Sequence, residues 1–133
     1  MRELRGLILA ALTLSVVTSM AQAQGLEGRT WIAERIKGEA VDTGIRSILT
    51  IAAGKVTGSA GCNRLMGSAT VAGDSIAFNG VATTRMACPG PAMAQERAFL
   101  EALASVRTFR LDGGFLSLRD AAGTEVTRLK EQG

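Results

Sequence analysis

Residues Gly58–Ser68, GSAGCNRLMGS, form the first of two cysteine-bearing segments that decide how this chain folds. The second is Ala82–Pro91, ATTRMACPGP, and the two segments hold the only cysteines of the sequence. Gly and Asn flank Cys62, and Pro follows Cys88, which favours turns at both places. The pair is either a disulfide or a set of sulfur ligands, and the compartment in which the protein works bears on the choice.

The N-terminus predicts export. Two arginines precede an apolar run, Leu7–Val17, and an A-x-A cleavage pattern ends at Ala23. The run is shorter than the roughly 20 residues that a membrane span needs. We therefore predict a signal peptide over residues 1–23, cleavage near Ala23, and a single mature domain over residues 24–133. The mature protein is expected in the periplasm or outside the cell, with no membrane span.

Composition excludes several classes of function. The full chain has a net charge of +3, and loss of the signal segment, with two arginines and one glutamate, leaves +2. Basic residues are spread singly along the sequence and aromatic residues are few, so no nucleic-acid partner is predicted. The chain has no His and no Tyr, so Ser-His-Asp and Cys-His arrangements are excluded. We predict a protein without catalytic residues, metal or cofactor.

Most of the mature chain has the two-residue period of short strands, separated by Gly- and Asp-containing turns. In the first of them, alternation places Trp31, Ala33 and Arg35 on one face and Ile36 on the other. A Gly73-Asp74 turn predicts a hairpin. The predicted strand segments are residues 29–38, 47–52, 55–59, the two arms of 68–80, 81–86, 108–111, 115–119 and 125–129.

One segment differs from this rhythm. Residues 91–105 contain good helix formers throughout, with Pro91 suited to a first helical turn. Its apolar stripe is formed by Phe99, Leu100, Leu103 and Val106. Its predicted solvated face is formed by Gln95, Glu96, Arg97 and Glu101. Strands, one helix and further strands predict an α+β domain with a mainly antiparallel sheet.

The two cysteines leave two interpretations open. In an exported protein an even number of cysteines favours a Cys62–Cys88 disulfide. Alternatively, two thiolates and two thioethers, from Cys62, Met66, Met86 and Cys88, would suit Cu(I), which prefers soft sulfur ligands.

Arg64 and Arg85 occupy matching positions beside the two cysteines. If the two turns meet, these guanidinium groups lie near Asn63, Thr83 and Thr84, and together they form a candidate site for an anion or a carboxylate. The alternative is that each arginine pairs with an acidic side chain or lies over the sheet.

The same segments resemble the META domain, also called the HslJ-like domain, from about Leu26 to Leu129. The resemblance rests on Trp31 and on motif residues listed here: Gly58, Gly61-Cys62-Asn63-Arg64, Gly67, Thr84-Arg85-Met86-Ala87-Cys88-Pro89, Phe99-Leu100 and Leu103. It implies an antiparallel sheet with partly barrel-like curvature and one helix, and no catalytic residue.

The resemblance also implies a bacterial envelope protein associated with heat shock and novobiocin resistance. Proteins of the HslJ type are often lipoproteins, whereas this signal segment has no lipid-accepting cysteine, which favours a soluble periplasmic form. We expect a monomer that binds an unknown envelope protein or small ligand. The alternatives are Cu(I) handling and inhibition of an envelope hydrolase.

Overall fold

The computed structural model describes residues 25–133, so the predicted signal segment and its cleavage site near Ala23 lie outside the described residues. Within residues 25–133, no helical segment combines the length and the apolar character that a membrane crossing requires. The elements, in chain order, are β1 (Thr30–Ile36), β2 (Glu39–Ala40), β3 (Ile48–Ala52), β4 (Lys55–Ser59), β5 (Arg64–Ala72), β6 (Ser75–Thr83), α1 (Gly90–Ser105), β7 (Thr108–Asp112), β8 (Phe115–Arg119) and β9 (Glu125–Glu131).

The strands form one antiparallel sheet in the order β2-β1-β3-β4-β5-β6-β7-β8-β9, and β9 also pairs with β1. The sheet is therefore closed into a ring, with β2 outside it beside β1. The seam between β6 and β7 is thin, because Ser75 and Thr108 are its one strand-register pair. The helix follows β6 in the sequence and precedes β7. These features confirm the predicted α+β class, the curved antiparallel sheet and the helix at about residues 91–105.

A β-bulge decides which face of β1 enters the core. Ala33 lies opposite Leu129 of β9 and Arg35 lies opposite the preceding residue, so Glu34 is the extra residue. Trp31, Ala33 and Ile36 are consequently all buried. The simple alternation predicted for this strand was wrong beyond Ala33, because an inserted residue moves every later side chain to the other face.

The core fills the ring and includes one face of the helix, from which Phe99, Ala102 and Leu103 are buried. Burying each large apolar side chain stabilises the fold by about 1.5–3 kcal/mol relative to exposure. Close strand packing also requires Gly58 in β4, where a Cβ would lie 1.8 Å from the carbonyl oxygen of Ile48 in β3.

Two element boundaries differ from prediction near the cysteines. β5 begins at Arg64, directly after the first cysteine turn, and pairs with β4 from its first residue. The segment 81–86 is not a separate strand, since β6 continues to Thr83 and irregular backbone follows up to Gly90. The two-residue strand β2 was not predicted.

Candidate functional site

The two cysteine turns meet in the fold. Cys62 and Cys88 form a disulfide with their Cα atoms 6.0 Å apart, which supports the disulfide predicted from the sequence. The bond joins residues 26 positions apart. Closing a loop of that length stabilises the folded state by about 3.5 kcal/mol in the chain-entropy treatment. It fixes the segment before the helix to the start of β5.

Asn63 lies in the centre of this junction and is buried, with 2% of its surface exposed. Its Oδ1 accepts hydrogen bonds from the N–H of Met86 at 2.6 Å and the hydroxyl of Thr84 at 3.1 Å. Its Nδ2 donates to Glu96 Oε2 at 2.8 Å and to the Met86 carbonyl at 3.4 Å. The side chain therefore joins the first cysteine turn to the irregular segment after β6 and to the helix.

Glu96 of α1 is buried, with 5% exposure, so its predicted place on the solvated face of the helix was wrong. Its Oε1 accepts the backbone N–H groups of Cys62 at 3.2 Å and Asn63 at 2.6 Å. With the Asn63 amide on Oε2, the carboxylate receives three N–H donors. Such charge-assisted hydrogen bonds are stronger than neutral ones and compensate the burial of the charge.

The sequence holds a signal for this position. Glu96 precedes Phe99 by three residues and Leu103 by seven, so it lies in the apolar stripe of the helix. A charged residue in such a stripe indicates a buried, hydrogen-bonded group. Here the N–H groups that donate hydrogen bonds to Glu96 come from the first cysteine turn.

We call the Cys62–Cys88 disulfide together with Asn63, Thr84 and Glu96 the clasp. A glycine permits its close contact with the helix: a Cβ at Gly61 would lie 3.1 Å from both the carbonyl oxygen of Ala92 and the backbone nitrogen of Glu96.

A second polar contact holds the first turns of the helix next to the clasp. Gln95 Nε2 donates to the carbonyl of Ile45 at 3.1 Å and to Ser47 Oγ at 3.0 Å. The hydroxyl of the buried Ser47 donates in turn to the carbonyl of Ala60 at 3.0 Å. Gln95 thus joins the helix to the segment before β3, and Ser47 joins that segment to Ala60, directly after β4. These polar contacts add to the apolar packing of the helix.

The predicted binding residues divide into two groups. Asn63 and Thr84 are part of the clasp. The hydroxyl of Thr84 also accepts the backbone N–H of Arg64 at 3.0 Å, and the Thr84 N–H donates to the Arg64 carbonyl at 3.1 Å. Thr83 is half-buried at the end of β6.

Arg64 and Arg85 are exposed. Among residues 25–133 the ion pairs join other side chains, and no hydrogen bond engages either guanidinium group. The backbone contacts between Arg64 and Thr84 bring the two arginines onto adjoining segments, because Arg85 follows Thr84 in the chain.

Two methionines accompany these arginines. Met66 is 48% exposed and Met86 is 58% exposed, and they are the exposed large hydrophobic side chains of the described range. In the copper interpretation these thioethers would act with the two cysteines. The sulfur atoms of Cys62 and Cys88 are bonded to each other, so no thiolate is present in this oxidised form.

We call Arg64, Met66, Arg85 and Met86 the Arg–Met surface. Its side chains carry two positive charges and two polarisable apolar groups, and its residues adjoin the clasp in the chain, because Arg64 follows Asn63 and Arg85 follows Thr84. The clasp polar groups bond to one another, whereas the charged and apolar ends of the Arg–Met surface face solvent. The arrangement can make contacts with another molecule.

Comparison with known proteins places this fold among solved relatives. The META domain family model matches residues 24–133. No curated protein matches the sequence. An NMR structure of a protein from Burkholderia xenovorans is similar with a TM-score of 0.68 and 25% identity, covering 84% of this chain and 87% of that one. A second NMR structure has a TM-score of 0.64 and 21% identity, covering 80% of this chain and 92% of its own.

Proposed function

This chain belongs to the META domain family, and we propose that it is a non-enzymatic, exported protein that supports stress tolerance of the bacterial envelope by binding another protein. The proposed contact is the Arg–Met surface. The expected stresses are heat and novobiocin-type antibiotics, as the family resemblance implies.

This proposal rests on the contrast between two sets of side chains around the disulfide, one bonded within the fold and the other exposed. Asn63, Thr84 and Glu96 bond internally and hold the fold together. The side chains of Arg64 and Arg85, which share the same short motifs, remain exposed and unpaired among the described residues. Exposed cations beside a cross-linked turn suit binding, because the backbone that carries them needs little further ordering on association.

Arg and Met together favour a protein as the bound molecule. Both residue types are enriched in the cores of protein–protein interfaces, and Met adapts its shape to an apolar partner surface. The two arginines favour carboxylate groups on that partner. Export is supported by the N-terminal signal pattern and by a disulfide that an oxidising compartment would maintain.

The proposal is tested by photo-crosslinking in cells, with a crosslinking amino acid in place of Met86. The expected result is a specific adduct with an envelope protein, which is lost in the Arg64→Glu/Arg85→Glu double variant. The matched control is Lys55→Glu/Arg97→Glu, which reverses two exposed cations outside the Arg–Met surface and should retain the adduct.

Two outcomes would count against the proposal. One is an adduct pattern unaffected by the Arg64→Glu/Arg85→Glu change in a variant that unfolds at the wild-type temperature. The other is equal survival of cells with and without the protein after heat or novobiocin treatment. Capture of a hydrolase, with stoichiometric loss of its activity, would replace the proposal by the inhibitor alternative.

A further inference from the structure

Basic residues that are far apart in the sequence meet on the outer face of β7, β8, β9 and β1. In the strand register, Arg110 lies opposite Ser117, Ser117 opposite Arg128, and Arg128 opposite Arg35. The side chains of these paired residues share one face of the sheet, because successive residues of a strand alternate between faces and Phe109, Leu116 and Leu118 belong to the core on the other face. Ser117 is itself covered, with 5% of its surface exposed. Three arginines therefore lie in one row across four strands.

Two further cations flank this row. The neighbouring row on one side of the arginine row pairs Arg119 with Thr108. The neighbouring row on the other side pairs Lys130 with Phe115. We call Arg35, Arg110, Arg119, Arg128 and Lys130 the basic face.

Acidic groups neutralise only part of the basic face. Glu125 accepts a hydrogen bond from Ser117 at 2.6 Å and lies 3.7 Å from Arg128. Arg119 Nε donates to the same Ser117 hydroxyl at 3.2 Å. Asp112 is exposed at the corner of the face, and Glu34 is exposed in the β1 bulge. Asp74 lines a surface pocket together with Arg110 and Arg119, so five cations lie near four carboxylates.

Three cations of the basic face remain without a partner among residues 25–133. Arg35, Arg110 and Lys130 are exposed, and the hydrogen bonds and ion pairs of the described side chains involve other residues. The face consequently has a surplus of positive charge that the fold itself does not compensate.

We propose that the basic face docks on a lipid bilayer surface that displays anionic phosphate headgroups. Neighbouring strands are about 4.8 Å apart, so the arginine row extends over about 14 Å, more than one phosphate group spans. Guanidinium groups bind phosphate oxygens bidentately. A spread array of such groups fits a surface with many phosphates, and each cation near an anionic leaflet strengthens binding.

An aromatic side chain on the same face suits a membrane interface. Phe115 is half-buried, and the guanidinium carbon of Arg128 lies 4.3 Å from the centre of its ring. Phe is among the side chains that segments lying in the membrane interface place on their apolar side. A single-stranded nucleic acid would instead require several aromatic side chains on which bases stack, and Phe115 is the one aromatic residue on the basic face.

The test is co-sedimentation of the mature chain with vesicles of phosphatidylcholine alone and of phosphatidylcholine mixed with an equal part of phosphatidylglycerol. Binding is expected to the anionic vesicles and to fall with added salt, since screening weakens contacts between exposed charges. The Arg35→Gln/Arg110→Gln variant should partition about thirtyfold more weakly, corresponding to about fivefold for each arginine removed. The Lys55→Gln/Arg97→Gln variant removes the same charge from exposed positions outside the basic face and the Arg–Met surface, and it should partition like wild type.

Several results would overturn the inference. One is the absence of binding to anionic vesicles, and another is an equal loss of binding in both double variants, which would indicate a response to net charge alone. Stronger binding to duplex DNA than to anionic vesicles at the same salt concentration would assign the face to nucleic acid. Binding to vesicles only after an acidic protein is added would assign it to that protein.

Discussion

Replacing Glu96 by glutamine should lower the free energy of unfolding by about 2–3 kcal/mol, because it removes charge-assisted hydrogen bonds from a buried group. In the wild type, Oε1 accepts two backbone N–H groups and Oε2 accepts the Asn63 amide. Glutamine has one oxygen. Whichever way its amide is turned, an NH2 group faces a donor of Cys62 or Asn63.

The assay is urea denaturation at neutral pH followed by circular dichroism, with thermal unfolding as a second measurement. For a domain of this size the expected loss corresponds to a fall in the unfolding temperature of about 10 °C. Glu101→Gln is the matched control, since it makes the same chemical change on an exposed part of the same helix. That control should change stability far less, because exposed ion pairs contribute little.

A second substitution tests the direction of the hydrogen bonds. Asn63→Asp in the Glu96→Gln background places a carboxylate opposite the new amide, and it should restore part of the lost stability. The coupling between the two positions is measured by a double-mutant cycle. The reasoning is refuted if Glu96→Gln alone stays within about 0.5 kcal/mol of wild type, the range typical of surface changes.

Three other perturbations probe separate parts of the fold. Replacing Cys62 and Cys88 by serine should lower the unfolding free energy by about 3.5 kcal/mol, as measured in urea, and an unchanged midpoint would contradict a stabilising cross-link. Gly58→Ala should destabilise by more than the usual point mutation, about 3 kcal/mol or more, because the new methyl group meets a β3 carbonyl oxygen; wild-type stability would show that the strands separate without cost. The hydrogen bond and positive charge of Lys37 lower the pKa of the Glu101 carboxyl, so this pair stabilises the fold above the usual glutamate pKa and the contribution is lost as the pH falls through the lowered value. An NMR titration should find the Glu101 pKa below its usual range in wild type and closer to it in Lys37→Met.

The parts of the fold that depend on local sequence were predicted well. The helix over Gly90–Ser105 follows from its composition and from Pro91, and most strand ends lie at Gly-containing turns. The two alternatives for the cysteines, the disulfide and the Cu(I) site, both required the two cysteine turns to meet. The disulfide could be favoured from the number of cysteines and the expected compartment.

The features that were missed depend on contacts between distant segments. The bulge at Glu34 follows from pairing β1 with β9, which are at opposite ends of the domain. Burial of Glu96 depends on the cysteine turn that supplies its N–H donors. Neither partner lies near in the sequence. The simple alternation predicted for β1 was therefore wrong beyond Ala33, and Glu96 was assigned to the solvated face because of its charge.

The arginine row of the basic face also depends on contacts between distant segments. Arg35, Arg110 and Arg128 appear as single, scattered basic residues in the sequence. Antiparallel pairing places them in one row across the sheet. Closure of the ring by β1 and β9 is what brings Arg35 beside Arg128, and no local pattern specifies that closure.

The central claim is that the short cysteine motifs build the clasp around the buried side chains of Asn63 and Glu96, and hydrogen exchange at the Met86 amide tests it most directly. Met86 lies on irregular backbone and is largely exposed, yet its N–H donates to Asn63 Oδ1 at 2.6 Å. We expect this amide to exchange slowly, while the amides of Arg85 and Ala87 on either side exchange rapidly. Rapid exchange at all three positions would contradict the clasp.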